Sequence, residues 1–96
     1  MTKEERLTLL KNDLQMLTSS NDTLLSSLLD ASVEYIQKEG ITLVENDIGI
    51  DMVIVQYAAY LFRKRASEET AMPRFLRYNL NNILFSQKGK TDGGNV

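Results

Sequence analysis

The chain has 96 residues, 43% of them apolar and 25% charged, proportions that suit one small globular domain and argue against wholesale disorder. It contains neither cysteine nor histidine, which excludes disulfides, thiolate or imidazole metal sites, cysteine nucleophiles and histidine bases. The net charge of −2 hides an asymmetry: residues 1–50 carry nine acidic and four basic side chains, and residues 51–96 carry seven basic and four acidic. In one domain this can give faces of opposite sign suited to head-to-tail association of identical copies, or simply solvated helices of uneven charge. The longest apolar run, Met52 to Phe62, is broken by Gln56 and is far shorter than the ~20 residues a bilayer needs. The opening MTKEERLTLL has no apolar signal core, so the expectation is a soluble protein kept in a reducing cytoplasm.

Four helices are predicted. Thr2 and Glu5 form a capping box for the first, over about 3–16, with Leu7, Leu10, Leu14 and Leu17 as its apolar stripe. The polar break Thr18 to Asp22 supplies Ser20 or Asn21 as cap of a second helix over 22–39. Leu25, Leu28, Leu29, Val33 and Ile36 line one side of that helix, and Gly40 suits its left-handed C-terminal cap. Residues 40–50, GITLVENDIGI, mix strand and turn formers and read as an exposed arm, irregular or extended.

Asp51 is read as the cap of a third helix over 51–65, with Asp47 a possible start one turn earlier. Nine of the ten residues from Met52 to Leu61 are apolar, which places this helix at the centre of the bundle. Arg63, Lys64 and Arg65 complement its negative end. After a polar link over 66–72, Pro73 opens a fourth helix over 73–85. Its apolar stripe is Leu76, Leu80, Ile83 and Leu84, with Phe75 beside it and Arg74, Arg77 and Asn81 on the wet side. The predicted architecture is thus an all-α bundle over 1–85 followed by a flexible tail over 86–96.

Chemistry is sparsely provided for. Asp30 and Glu34 lie one turn apart but on a polar helix face, with nothing to desolvate them. Glu45-Asn46-Asp47 lacks the spacing of a calcium loop, and no glycine-rich phosphate cradle occurs. The expectation is a protein that is not an enzyme and uses no cofactor or metal. Arg63, Lys64, Arg65, Arg74 and Arg77 could contact phosphates, which keeps a small nucleic-acid-binding regulator as an alternative, although a pI near 5.0 opposes tight duplex binding. Tyr57, Tyr60 and Phe62 read as core, and a helix apolar on every side in so small a domain could leave one strip for a neighbouring subunit.

The order of these segments carries a resemblance. L-x-x-L-K-x-x-L (Leu7 to Leu14) precedes N-D-T-L-L-S-S-L-L-D-A-S-V-E-Y-I (Asn21 to Ile36), a variable link, A-A-Y-L-F-R-K-R (Ala58 to Arg65) and the single Pro73. Over residues 5–85 this resembles the small head–tail connector (adaptor, or DNA-packaging) proteins of tailed bacteriophages and prophages. It departs from many of them in having Gly49-Ile50-Asp51 where they open the third helix with proline. The resemblance implies a structural virion protein at the head–tail junction, assembled in the host cytoplasm as a ring under the portal. Its partners would be further copies of itself, the portal and a tail-completion (stopper) protein, with DNA passing through the channel without sequence-specific binding and no membrane involved. The contact residues expected on this basis are Ile41, Leu43, Glu45 and Asp47 in the arm, Arg63, Arg65, Arg74 and Arg77 on the helices, and Lys88 and Lys90 in the tail.

Overall fold

A computed structural model describes residues 1–66 and 71–94, with side chains through Gly89. Residues 67–70 of the expected link and 95–96 of the expected tail lie outside it. The chain is an all-α bundle of α1 (Lys3–Asp13), α2 (Asp22–Lys38), α3 (Ile48–Arg65) and α4 (Arg74–Gly94).

The capping box that opens α1 is complete. Glu5 N donates to Thr2 Oγ1 at 3.1 Å, and Thr2 N donates to Glu5 Oε1 at 2.8 Å. Those bonds hold the Glu5 carboxyl below its ordinary pKa. The helix stops at Asp13, short of the expected 16, because Gln15 takes the left-handed conformation at φ 58°. Gln15 N then donates to Asn12 O at 3.2 Å and Met16 N to Lys11 O at 2.8 Å, a Schellman closure made without glycine. The early stop folds Met16 back against the core beside Leu14.

Asn21 occupies the cap position of α2 but its side chain makes no capping bond. The other end closes as the sequence indicates. Gly40 sits at φ 103°, its N–H donating to Gln37 O at 3.0 Å, while Ile41 N reaches Ile36 O at 3.4 Å. A Cβ on Gly40 would meet Leu84 at an ordinary 3.5 Å, so the backbone angle rather than space selects glycine.

α3 is the centre of the bundle and packs on all three other helices. Asp47 caps it, accepting from Ile50 N at 3.1 Å, so the helix begins one turn before Asp51. Val53, Ile54, Val55, Tyr57, Ala58, Ala59 and Tyr60 are all buried. Around α3, Leu10 comes from α1, Leu25, Leu29 and Ile36 from α2, and Leu76 and Leu80 from α4. Burying a leucine or isoleucine of this set contributes about 1.5–3 kcal/mol, the main force holding the bundle together. Ser32 is also fully buried, its hydroxyl 2.9 Å from Leu29 O and 3.3 Å from Ile54 O. A small side chain with its proton satisfied there lets α2 approach α3 closely.

Ion pairs mark the helix directions. Lys3–Asp30 at 3.0 Å and Lys11–Asp22 at 2.9 Å show that α1 and α2 are antiparallel. α4 runs antiparallel to α3, with Asn79 Nδ2 donating to Gln56 Oε1 at 3.1 Å.

The arm between Gly40 and Asp47 forms no strand, and no strand occurs among the described residues. The end of the fourth helix is a correction: α4 runs past the expected 85 to Gly94. One anchor for this extension is Gln87. Its amide N donates to Thr42 O at 2.7 Å and its amide O accepts from Thr42 N at 2.8 Å.

Candidate functional site

The arm and α4 enclose a groove of about 550 Å³ lined by Thr42, Val44, Asp47, Asn82, Ile83, Ser86 and Gln87. It passes at Asn82 and Ile83 into a second hollow of about 260 Å³ between α3 and α4, where Met52, Val53, Gln56 and Asn79 contribute. The polar groups here are mainly amides and hydroxyls, which hydrogen-bond but do not exchange protons near neutral pH. The one carboxylate, Asp47, is engaged as the α3 cap. Val44, Ile48 and Met52 leave an exposed apolar edge along this side. Among the described residues no three carboxylates gather into a group that could hold a metal ion, and no helix is long and apolar enough to cross a membrane.

The expected contact residues separate into engaged and free ones. Ile41 is 2% exposed and belongs to the core, a correction, because the Schellman closure of α2 turns it inward. Leu43 is also drawn in, half-buried against the core. Glu45 and Asp47 remain exposed. Arg63 reaches Asp13 at 3.3 Å. Arg77, expected on the wet side, is half-buried and donates to both carboxylate oxygens of Glu39, at 3.0 and 2.7 Å. This bidentate pair holds the Glu39 carboxyl below its usual range and the Arg77 guanidinium above its own. Arg65, Arg74 and Lys88 are exposed, and the Lys90 side chain lies outside those described. Because α3 and α4 are antiparallel, Arg63 and Arg65 sit at the end of the molecule where α4 begins with Arg74. The arm residues and Lys88 sit toward the other end.

Asp51 has a role that its local sequence conceals. It is 3% exposed, with Arg6 Nε donating to Oδ1 at 2.9 Å and the Met1 amino group 3.3 Å from Oδ2. It ties the start of α1 to α3. The signal for it is an acid inside an apolar run, though only the fold identifies its partners.

The outer face of α4 is the larger omission. Leu76, Leu80, Ile83 and Leu84 point into the bundle. A helix turns about 100° per residue, which sets residues 75, 78, 82 and 85 on the opposite side. Accordingly Phe75, Tyr78 and Phe85 are 56%, 66% and 70% exposed. Their spacing was visible in the sequence, but their exposure follows only from which side faces α3. By contrast Tyr57 and Tyr60 are buried, and Tyr57 stacks on Tyr35 with centroids 5.7 Å apart. Burial pushes the Tyr57 phenol up.

The described surface thus offers a polar-lined groove with an apolar edge, and an aromatic helix face bordered by Arg74 and Lys88. No protein-family model matches the chain, and no curated protein or solved structure matches it.

Proposed function

We propose that this chain is a structural head–tail connector of a tailed bacteriophage or prophage, assembling as a ring under the portal, extending the DNA channel and offering a docking surface for the tail. The observation that carries the reading is the segregation of charge. Residues 74–90 contain Arg74, Lys88 and Lys90, besides the Arg77 paired with Glu39, and no acid. The outward sides of α1 and α2 carry the acids Glu4, Glu5, Asp30 and Glu34 against the lysines Lys3 and Lys38. Unlike faces on one rigid subunit favour heterologous contacts, which close into a ring when the rotation per copy divides the circle. The segment order described above supplies the phage context. In this role the protein works as a spacer, without catalysis or cofactor, and resides in the virion.

The test is removal of the gene from the phage that carries it. Electron microscopy should then show filled or leaking heads without tails. Normal tailed particles would overturn the connector role.

The nucleic-acid-binding reading has less support. Arg63 and Arg77 are neutralised by Asp13 and Glu39, and Lys64 lies over the Tyr60 ring at 5.9 Å. Arg65, Arg74 and the exposed Lys64 remain from the proposed cluster, too few for a strong phosphate-binding face.

A further inference from the structure

We propose that the outer face of α4 is the surface by which one copy of this chain docks on the next, and that it seats on the outer face of α1 and α2. This rests on the ring-forming role and assigns its faces. Phe75, Tyr78 and Phe85 form an aromatic stripe turned away from α3, bordered by the exposed cations Arg74 and Lys88. Neither cation has an ion-pair partner among the described residues. Nothing in the fold needs these rings outside, since the core is filled from the other side of the same helix.

A second copy offers the complementary chemistry. On its α1–α2 face, Glu4 and Glu34 are exposed acids likewise without an ion-pair partner. Lys3 is paired with Asp30 at 3.0 Å, and Lys38, exposed over the Tyr35 ring at 5.9 Å, keeps its charge. The exposed acids Glu4, Glu5, Asp30 and Glu34 still outnumber the exposed Lys3 and Lys38 on this face. Tyr35 has one side of its ring stacked on Tyr57 of α3, and Glu34, Gln37 and Lys38 line a shallow depression. The α4 face thus pairs aromatic surface with cations, and the α1–α2 face carries an excess of acids. Because the faces differ, each copy can use one toward each neighbour. That is a heterologous junction, not a two-fold one.

Size sets its strength. The α4 strip from Arg74 to Gly89 is roughly 24 Å by 10 Å, about 240 Å². A stable interface buries about 800 Å² per partner. A single junction is therefore weak, and a ring gains from every copy holding two junctions.

Sedimentation velocity on the full chain between about 10 µM and 1 mM tests this. The unaltered protein should associate as concentration rises, and less so at high salt. One variant carries Phe75→Ser, Tyr78→Ser and Phe85→Ser; the other carries Glu4→Lys and Glu34→Lys. Each alone should associate at least tenfold more weakly. Mixed, they should form dimers and nothing larger, since one intact junction remains between them. Arg74→Glu with Lys88→Glu replaces the serine variant if circular dichroism shows that the serines disturb the helices. Self-association of the Glu4/Glu34 variant at full strength would mean an α4-to-α4 contact and overturn the proposal. Association unaffected by either set would overturn the assignment of faces while leaving a ring-forming chain in place. No association of the unaltered protein at 1 mM would overturn the docking surface, and the gene-removal result would then decide the connector role independently.

Discussion

α3 and α4 both carry several large apolar residues, and the bundle uses them in opposite ways. In α3 the stretch from Val53 to Tyr60 is enclosed by three neighbours, so Val53, Ile54, Val55, Tyr57 and Tyr60 are all buried, and only the opening turn exposes Ile48 and Met52. In α4 one side enters the core through Leu76 and Leu80 while Phe75, Tyr78 and Phe85 face outward. The body of α3 devotes its apolar surface to stability. α4 divides its own between stability and display. Composition alone does not separate the two; the angular position of each side chain does.

The sharpest way to break this contrast is to cut one residue from each helix. Ile54→Ala should cost about 2–5 kcal/mol, measured by urea unfolding, because it opens a cavity in the most enclosed part of the fold. Phe85→Ser should change monomer stability by under ~0.5 kcal/mol, since a ring already in water loses little. Comparable losses from both would show that the α4 stripe is packed within the subunit.

Asp51→Asn comes next. It leaves the Arg6 guanidinium and the Met1 amino group facing a neutral amide, and should cost about 2 kcal/mol. A double-mutant cycle with Arg6→Met measures the part owed to that pair, and a coupling near zero would refute the clamp.

Arg77 and Glu39 join α4 to the end of α2, and pH tests that join. The folded-state pKa of Glu39 is lowered by the Arg77 hydrogen bonds. Its stabilisation is therefore present above the unfolded value of about 4.3 and lost as pH falls through the lower folded value. Arg77 stays charged throughout. Glu39→Gln should be less stable than the native chain by under ~1 kcal/mol at pH 7, because the pair is partly exposed. The difference should close as pH falls through that lowered folded value. A gap that persisted in acid would point to packing rather than charge.

The smallest effect concerns α1. Gln15 holds a left-handed conformation that costs a side-chain residue ~1 kcal/mol and glycine nothing comparable. Gln15→Gly should raise stability by a few tenths of a kcal/mol up to about 1, seen as a higher Tm without change in helix content. A lower Tm would mean that the glutamine side chain has a structural role.

Much of this architecture is legible in the residues. α2 announces itself by leucines at helical spacing and by Gly40, and the centrality of α3 follows from the absence of a polar face. What escapes is whatever depends on contacts distant in sequence. Asp47 and Asp51 are equally good caps locally, and Arg6 decides between them by drawing Asp51 into the interior. Gln15 bears no mark of a left-handed residue. Residues 86–94 lack core formers, so the chain pattern shows no reason for a helix, and the Thr42 backbone that Gln87 meets is 45 residues away. For the candidate surfaces, Arg74 and Lys88 were visible as cations, whereas Ile41 looked like an exposed arm residue until the cap geometry turned it inward.

The paired hydrogen bonds between Gln87 and Thr42 have a mechanical consequence. A glutamine amide that satisfies both the N–H and the C=O of one residue behaves like a latch from a neighbouring strand, although no strand is present among the described residues. The irregular loop is thereby fastened to a lever that extends beyond the hydrophobic interior. Anything that tugs on the loop must open the latch or swing the lever, so a load applied at one is felt at the other.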